Sequence, residues 1–215
     1  MKIKTLETAG VAPALIAMRN PMNSWDKSDS KVKTNTTPYF IDLYNVTCDF
    51  QIGEKDKELS IRLQKAGPEH CKHLRMIQVW ADISAPRYWL IELDTYRAGV
   101  EKVSCSTMHK LMARKVTMDD FEIDDKNSVG SQVIVQYIND MMDEYRDTDD
   151  PEEKKAIWRH IIQHLPQSYI QKRTYMFSYA ALRNIYHQRE GHRLKEWQQF
   201  REWVESLPES WMITE

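Results

Sequence analysis

The sequence lacks a long apolar run, has few cysteines and carries almost no net charge. No stretch is long enough to span a bilayer, and the short apolar segment between Glu7 and Arg19 does not match a signal peptide. The three cysteines occur at unrelated spacings, which argues against a disulfide framework and fits a reducing cytosol. With 30 basic and 32 acidic residues, the chain has no general attraction for nucleic acid or anionic membranes. We therefore expect a cytoplasmic protein whose partners include no nucleic acid polymer and no membrane.

Glycine and proline are also scarce, with six and eight residues among 215. Hydrophobic residues make up 41% of the chain and charged residues 29%, which is typical of a helix-rich globular protein. A chain of this length can bury a substantial core without disulfides or a structural metal. We therefore predict a single domain over residues 1–215.

Three segments favour β-strands. Met1–Thr8 alternates loosely between apolar and polar residues, and Tyr39–Phe50 is rich in aromatic and branched residues. The clearest pattern is MIQVWADI, Met76–Ile83, in which every second residue from Ile77 onward is apolar. Between the first two segments, Asn20–Thr37 is polar and contains proline, which predicts an exposed loop.

The other patterned segments favour helices. One of them starts at Asp150, which can cap a helix and is followed by a first-turn proline and two acidic residues. An acidic stretch from Asp119 to Lys126 predicts a solvated surface segment. The predicted helices are Pro13–Arg19, Glu54–Lys65, Pro86–Arg97, a segment that contains Ile134–Tyr145, one from Asp150 that ends at Pro166, Tyr169–Gln188, and a last one that contains Trp197–Leu207. The predicted fold class is therefore α+β, a small antiparallel sheet packed against long helices.

Two clusters of reactive side chains lack the partners that their chemistry needs. His70, Cys71 and His73 could bind a metal, but no second pair at ligand spacing completes a set of four. The segment from Ser104 to His109 contains nucleophile and base types, yet sequence neighbours on a loop rarely form a catalytic triad. Walker and GxGxxG motifs are absent. We therefore predict no metal site, and we interpret the second cluster as coincidence.

A basic run near the C-terminus, RNIYHQREGHR at Arg183–Arg193, is more informative. On a helix, Arg183, His187 and Glu190 share a face, whereas Arg189 points elsewhere. Arginine side chains bind phosphate oxygens bidentately, so this run could hold a phosphate. A solvated basic helix is the alternative interpretation.

Two segments together resemble the flavin-dependent thymidylate synthases, the ThyX family. The first, HCKHLRMIQVWADISAPRYWLIELDTYRAGVEKVSCSTMHKL at His70–Leu111, is similar to a histidine, strand, turn and helix that lead into the family signature R-H-R-x-x-S-x-N-E-x-S-x-R. The second, LPQSYIQKRTYMFSYAALRNIYHQREGHRLKEW at Leu165–Trp197, is similar to a later stretch that begins Leu-Pro, passes an asparagine on a helix and reaches a nucleotide-contacting arginine. Together the two segments cover about a third of the chain.

The signature itself is only partly present. Aligned without gaps, Thr95–Arg97 stands at the Arg-His-Arg positions, so the last arginine is kept, and a shift by one residue places Ser106 on the second serine. Glu92 replaces a glutamine that faces the pyrimidine, and a carboxylate only accepts hydrogen bonds whereas an amide also donates them. Positions outside the signature that match are His70, Asn184 and Arg189, and signature positions that differ are Val100, Lys102, Val103, Cys105 and Thr107.

The resemblance implies a homotetramer with FAD at the subunit interfaces. It also implies that flavin reduced by NADPH works with methylenetetrahydrofolate to methylate a pyrimidine nucleotide such as dUMP, without a protein nucleophile. By this resemblance, Arg189 is the catalytic residue, because it polarises the pyrimidine. The implied cofactor contacts are His70, Tyr96, Arg97 and Asn184, and the implied nucleotide contacts are Glu92, Ser106 and Arg189.

Two functions from different classes remain open. The first is a divergent flavin-dependent enzyme that transfers a one-carbon group to a pyrimidine nucleotide. The second is a catalytically inactive protein that uses the same scaffold to bind a nucleotide or a partner. A flavin absorption band in the purified protein would distinguish the enzyme from the inactive protein.

Overall fold

The computed structural model describes residues 1–34 and 48–215, and at residues 32–34, 48, 49 and 109 it describes the backbone alone. In these ranges the strands form a four-stranded antiparallel sheet, in the order β1-β4-β6-β5, and a separate ribbon of β2 and β3. The strands are, in chain order, β1 (Lys2–Ala9), β2 (Lys31–Thr34), β3 (Cys48–Gln51), β4 (Gln78–Pro86), β5 (Val100–Ser104) and β6 (Ile170–Ser178).

The central strand β4 shows why the sheet has one core face. Val79, Ala81 and Ile83 are fully buried, whereas the residues between them are half-buried. Successive side chains of a strand point to opposite faces, so this alternation places every second residue against the helices. The strand predicted at Met76–Ile83 is confirmed, although it begins two residues later and continues to Pro86. The strand predicted at Met1–Thr8 corresponds to β1.

The helices cover the core face of the sheet and extend beyond it. No helix in the described ranges has both the length and the apolar character needed to cross a bilayer. The α-helices are α1 (Val11–Ala17), α2 (Glu54–Ala66), α3 (Arg87–Leu93), α4 (Thr107–Lys110), α5 (Val129–Asp147), α6 (Pro151–His164), α7 (Tyr179–Gln188), α8 (Lys195–Glu205) and α9 (Trp211–Thr214). Short 3-10 turns lie at Asn20–Met22, Trp25–Lys27, Lys72–Arg75, Leu111–Ala113 and Met118–Asp120.

The prediction of one helix over Tyr169–Gln188 is wrong. Its first half is β6, which pairs with β4 on one side and β5 on the other, and only its second half is α7. The switch occurs at Ser178, whose side chain accepts a hydrogen bond from the backbone N–H of Ala181 at 3.1 Å and so caps α7. Before this cap, the aromatic and branched residues of β6 fit a half-buried sheet better than a helix.

Three further boundaries differ from the sequence prediction. Pro86 is the last residue of β4, with an extended ψ of 149°, and the helix after it ends at Leu93 rather than at Arg97. Within Asn20–Thr37 the structure shows two 3-10 turns and β2, and residues 35–37 lie outside the described ranges. Of the strand predicted at Tyr39–Phe50, residues 39–47 also lie outside these ranges, and its end falls in β3.

The acidic segment from Asp119 to Lys126 is not entirely a solvated surface. Phe121 in this segment is buried and forms an isolated β-bridge with Tyr169, and the two rings make an edge-to-face contact at 5.7 Å between centroids. Aromatic pairs in this geometry add to the gain from burial. Phe121 therefore packs this segment against the rest of the protein, an apolar contact that the acidic composition of the segment did not predict.

Two hydrophobic clusters hold the elements together. The larger lies between the core face of the sheet and helices α1, α3, α7, α8 and α9, and Trp89 and Trp197 pack at its centre with ring centroids 4.8 Å apart. The smaller is built mainly by α5 and α6, and its buried residues are Leu111, Val116, Phe121, Ile138, Met142, Ile161 and Leu165. The helices that carry candidate site residues, α3 and α7, belong to the larger cluster.

Candidate functional site

A cavity of about 970 Å³ lies where the start of β4 and the end of β6 meet α7. Gln78 of β4 is paired with Ser178 of β6, and β5 begins beside them with Val100 opposite Phe177. The end of α2 and the turns that follow it also contribute to the lining. The lining residues are Gln64, Pro68, Cys71, Leu74, Arg75, Gln78, Ala98, Gly99, Met176, Ser178, Ala180, Ala181, Arg183, Asn184, His187 and Gln188.

The charged side chains in this lining are cationic. Arg75 comes from the turn before β4 and Arg183 from α7, and the described lining residues include no aspartate or glutamate. Arg183 Nη1 donates to the backbone oxygen of Ile213 at 3.2 Å and to that of Glu215, which orients the guanidinium. The cavity therefore favours an anionic ligand.

Helix α7 presents polar residues to the cavity because its other face is in the core. Leu182 and Ile185 are fully buried on one face of the helix. Arg183, Asn184 and His187 lie on its other face and line the cavity. This is the usual division of an amphipathic helix between core and solvent. The sequence prediction that Arg183 and His187 share a face is confirmed, whereas Glu190 lies beyond the end of the helix.

Gly99 lines the cavity at a position where any other residue would be strained. Its φ is +72°, and a Cβ atom built on it would lie 2.4 Å from Ser178 Oγ. Its carbonyl accepts a hydrogen bond from the Ser178 N–H at 2.8 Å, which fixes the approach of the two chains. Glycine adopts this backbone conformation at little cost, so the wall can come close to the N-terminus of α7.

A buried polar network lies behind the cavity wall. Gln64 Nε2 donates to Ser60 Oγ at 3.2 Å, and Ser60 Oγ lies 2.9 Å from His73 Nε2. Burial lowers the pKa of His73 from 6.5 to about 4, so the imidazole is neutral near pH 7. The network therefore holds Gln64 in place without adding a charge beneath the cavity.

Cys71 also lines the cavity, but it is not arranged as a nucleophile. Its thiol donates to the carbonyl oxygens of Gly67 at 3.2 Å and Leu63 at 3.4 Å. Burial raises the pKa of the thiol, and the nearby guanidinium groups of Arg183 and Arg75 only partly oppose this effect. A thiol is a much weaker nucleophile than a thiolate, so we assign Cys71 no chemical step.

The structure brings three of the sequence-predicted site residues together beside the cavity. Arg189 Nη1 donates to Glu92 Oε2 at 3.1 Å, and Arg189 Nε donates to the Tyr96 hydroxyl at 2.9 Å. Its guanidinium lies 4.3 Å from the Trp197 ring centroid, and Trp197 Nε1 donates to the same Glu92 oxygen at 2.9 Å. Arg189 is thus held by an ion pair and by stacking rather than directed into the cavity.

A chain of hydrogen bonds connects this cluster with the cavity. The Tyr96 hydroxyl donates to Gln188 Oε1 at 3.1 Å, and Gln188 Nε2 donates to Asn184 Oδ1 at 2.7 Å. Gln188 and Asn184 both line the cavity. The chain from Arg189 through Tyr96 therefore ends at two amide side chains that a ligand can contact.

The other predicted site residues do not line the cavity among the residues described. His70 is exposed, with its Nε2 3.6 Å from a carboxylate oxygen of Glu69. Arg97 is exposed in the turn before Gly99. Ser106 is exposed just before α4, where its backbone carbonyl accepts from the Lys110 N–H at 3.2 Å. Roles for these three side chains stay predictions.

Sequence reasoning missed Arg75, Gln64 and Gly99. Gly99 was detectable in principle, because a glycine between a helix and a strand often marks a backbone conformation with positive φ. Arg75 and Gln64 carried no comparable signal, since their place in the cavity depends on packing between α7 and the turn at Lys72–Arg75. The described residues contain no group of three or more side chains suited to hold a metal ion.

No protein-family model matches the chain, and no curated protein matches its sequence. The fold, however, is that of the flavin-dependent thymidylate synthases. The structure of ThyX from Helicobacter pylori complexed with FAD and dUMP has a TM-score of 0.73 at 18% identity, over 100% of this chain and 98% of that chain. A second Helicobacter pylori ThyX structure with FAD and dUMP has a TM-score of 0.72 at 17% identity, with the same coverage. At this identity the similarity shows the fold alone, and it confirms the predicted α+β arrangement.

Proposed function

We propose that the protein binds FAD and a pyrimidine nucleotide such as dUMP, and that it transfers a one-carbon group to the nucleotide. The observation that carries this proposal is a cavity of about 970 Å³ whose charged lining is cationic, on a fold shared with ThyX complexed with FAD and dUMP. This volume lies at the upper end of the range of small-molecule and cofactor sites. FAD and dUMP both carry phosphate groups that such a lining attracts.

The residues present fit these ligands in their chemistry. Asn184 and Gln188 offer amide donors and acceptors to the edge of a flavin or pyrimidine ring, and Arg75 and Arg183 offer positive charge to phosphate. Bound FAD would supply the electron chemistry of one-carbon transfer, with NADPH and methylenetetrahydrofolate as co-substrates. The protein binds and orients the ligands and excludes water from them.

In this proposal Arg189 acts on the nucleotide indirectly, through hydrogen bonds that lead to the side-chain amides of Gln188 and Asn184. Its guanidinium donates to the Tyr96 hydroxyl, which in turn donates to Gln188, so the arginine polarises the Gln188 amide without contacting the ring. Tyr96 then positions Gln188, and Glu92 holds Arg189 in place. Such hydrogen-bond chains polarise one another in a site of low dielectric.

The contacts proposed for His70, Arg97 and Ser106 depend on a homotetramer, because these side chains do not line the cavity of a single chain. We propose this assembly and a cytoplasmic location as part of the same function. Size-exclusion chromatography with light scattering tests the assembly directly. A monomer at micromolar concentration would remove these three residues from the site.

A second candidate function is nucleotide binding without catalysis. The ion pair of Arg189 with Glu92 favours it, since the arginine that would polarise a pyrimidine is neutralised and lies outside the cavity. A carboxylate at position 92 also offers no donor to a ring carbonyl. Binding would then use the cavity alone.

Flavin content and turnover test the proposal. Purified protein, or protein reconstituted with FAD, is expected to be yellow, and added dUMP is expected to perturb the flavin absorption band. Turnover is measured by mass spectrometry of the nucleotide after incubation with NADPH and methylenetetrahydrofolate. The variant Asn184→Ala should weaken both ligands, whereas Asn127→Ala, at an exposed site near α5, should not.

Protein that stays colourless with excess FAD but is thermally stabilised by dUMP would establish the inactive nucleotide binder instead. Protein that binds neither ligand would overturn both candidate functions.

A further inference from the structure

The cavity lining near Cys71 includes two arginines, Arg75 and Arg183. Arg75 lies at the end of the turn Lys72–Arg75, and its side chain makes no ion pair among the described residues. Arg183 also lines the cavity, lies on α7, and donates to the backbone oxygens of Ile213 and Glu215. Both guanidinium groups are close enough to Cys71 to favour its ionised form.

Several other arginines of the described chain are neutralised. Arg19 pairs with Asp56, Arg173 with Asp94, and Arg189 with Glu92. Arg75, in contrast, lines the cavity without such a partner among the described residues. The nearby carboxylate, Glu69, does not line the cavity and has His70 Nε2 at 3.6 Å.

The backbone around Arg75 is fixed rather than loose. Gln78 Nε2 donates to the Arg75 carbonyl at 2.7 Å, and Leu74 beside it is fully buried in the larger core cluster. The Met76 N–H donates to the His73 carbonyl at 3.0 Å, which closes the turn. These contacts fix the backbone from which the Arg75 side chain reaches the cavity. Gln78 is the positioning residue, because it binds the Arg75 carbonyl.

The structure assigns Arg75 and Arg183 to a subsite that binds the phosphate group of the ligand. Two guanidinium groups in the lining of one cavity match a phosphate, because each offers a planar pair of N–H donors and a full positive charge. The same lining contains the amides of Asn184 and Gln188, so a ligand that has both a phosphate group and a polar ring fits its polarity. This inference deepens the proposed function and rests on it for the identity of the ligand.

The phosphate can come from a nucleotide or from the flavin cofactor, and matched ligand pairs distinguish the two sources. Affinities of the wild-type protein are measured by titration for dUMP against deoxyuridine and for FMN against riboflavin, each pair differing by one phosphate, with inorganic phosphate as a competitor. At least one phosphorylated ligand should bind 100-fold or more tightly than its unphosphorylated partner, since two charge-assisted contacts are lost together. Inorganic phosphate should weaken the binding of that ligand.

The variants Arg75→Ala and Arg183→Ala should each reduce this preference about tenfold, while leaving the affinity for the unphosphorylated partner unchanged. Arg183→Lys should restore only part of the loss, because lysine keeps the charge but not the bidentate fork. Arg159→Ala, which removes an exposed arginine from α6, is the matched control. Arg75 has no ion pair to lose, so its variant should fold even if Arg183→Ala does not.

An equal affinity for both members of each pair in the wild-type protein would overturn the subsite. A phosphate preference that survives Arg75→Ala would overturn it as well. Failure of the proposed function would look different. The protein would then show a phosphate preference that depends on the two arginines, but it would neither bind flavin nor convert dUMP. That result would support the subsite and contradict the enzyme.

Discussion

At the residue scale, Glu92 holds the side chains beside the cavity through three neighbours. Its Oε2 accepts hydrogen bonds from Arg189 and Trp197, and His192 Nε2 lies 3.6 Å from it. The ion pair with Glu92 keeps the Arg189 guanidinium outside the cavity lining. Glutamine at the same position would accept the same bonds but would not neutralise the arginine.

Replacing Glu92 with glutamine should therefore strengthen the binding of dUMP. We expect the dissociation constant to fall by roughly three- to tenfold, because one unit charge near a surface contributes on the order of 1 kcal/mol. Titration calorimetry of the wild type, Glu92→Gln and Glu144→Gln measures this effect, the last being an exposed change of the same charge on α5. Weaker binding by Glu92→Gln would mean that Glu92 itself contacts the ligand.

The buried His73 should make the free energy of unfolding depend on pH in the acid range. Its pKa is lowered from 6.5 to about 4 by burial, so between these values the unfolded chain binds a proton that the folded chain does not. Its contribution to the free energy of unfolding is therefore complete above pH 6.5 and is lost as the pH falls towards 4. The loss amounts to about 3 kcal/mol.

The variant His73→Gln keeps a hydrogen-bond partner for Ser60 but cannot titrate. Urea denaturation at pH 7, 5.5 and 4 should show a steeper decline for the wild type than for this variant. Parallel declines would place the acid sensitivity in the carboxylates, whose depressed pKa values act in the same direction at lower pH.

At the element scale, α6 shows how much of a helix is encoded locally. Asp150 accepts hydrogen bonds from the Glu152 N–H at 2.8 Å and the Glu153 N–H at 3.4 Å, and Pro151 occupies the first turn. The predicted start at Asp150 is confirmed, and the helix ends at His164, shortly before Pro166. None of these features depends on a distant part of the chain.

Replacing Asp150 with alanine should lower the free energy of unfolding by about 1 kcal/mol, because two backbone donors lose their acceptor. Serine at the same position should retain most of the stability, since its hydroxyl can also cap. Chemical denaturation of the two variants and the wild type measures the difference. Equal losses for alanine and serine would show that the charge rather than the cap is what matters.

At the scale of the whole molecule, the two hydrophobic clusters share no buried residue. The cavity of the candidate site borders the larger one, beside α7, the turn before β4 and the ends of β4 and β6. The smaller one belongs to α5, α6 and the segment around Phe121. We therefore expect α5 and α6 to open locally more often than the sheet, within the single domain that we predict.

Hydrogen exchange of two core variants tests this expectation. Ile161→Ala in the smaller cluster should speed exchange in α5 and α6 and leave β4 and β6 unchanged, because a cavity of this kind costs about 2–5 kcal/mol where it is made. Leu90→Ala, an equally buried change in the larger cluster, should speed exchange throughout. Faster exchange in β4 after Ile161→Ala would show that the two clusters unfold as one unit.

The sequence by itself determined the elements whose causes are local. The alternation in β4, the cap and proline of α6, and the apolar face of α8 all follow from residues within a few positions of each other. The resemblance of about a third of the chain to the ThyX family indicated the fold, and the similarity to solved ThyX structures confirms it. The shared face of Arg183 and His187 also followed from helical spacing alone.

Only the tertiary structure decided which residues meet. Ile170–Ser178 is a strand because β4, about 90 residues earlier, and β5 supply its hydrogen-bond partners, and no local pattern contains them. The cavity unites Arg75 with Arg183 because α7 packs across the turn before β4. Arg189 faces Glu92 and Trp197 because α3 and α8 pack beside the end of α7, and no local pattern contains these partners. Pairing and packing join residues distant in sequence, so their outcome depends on the whole chain.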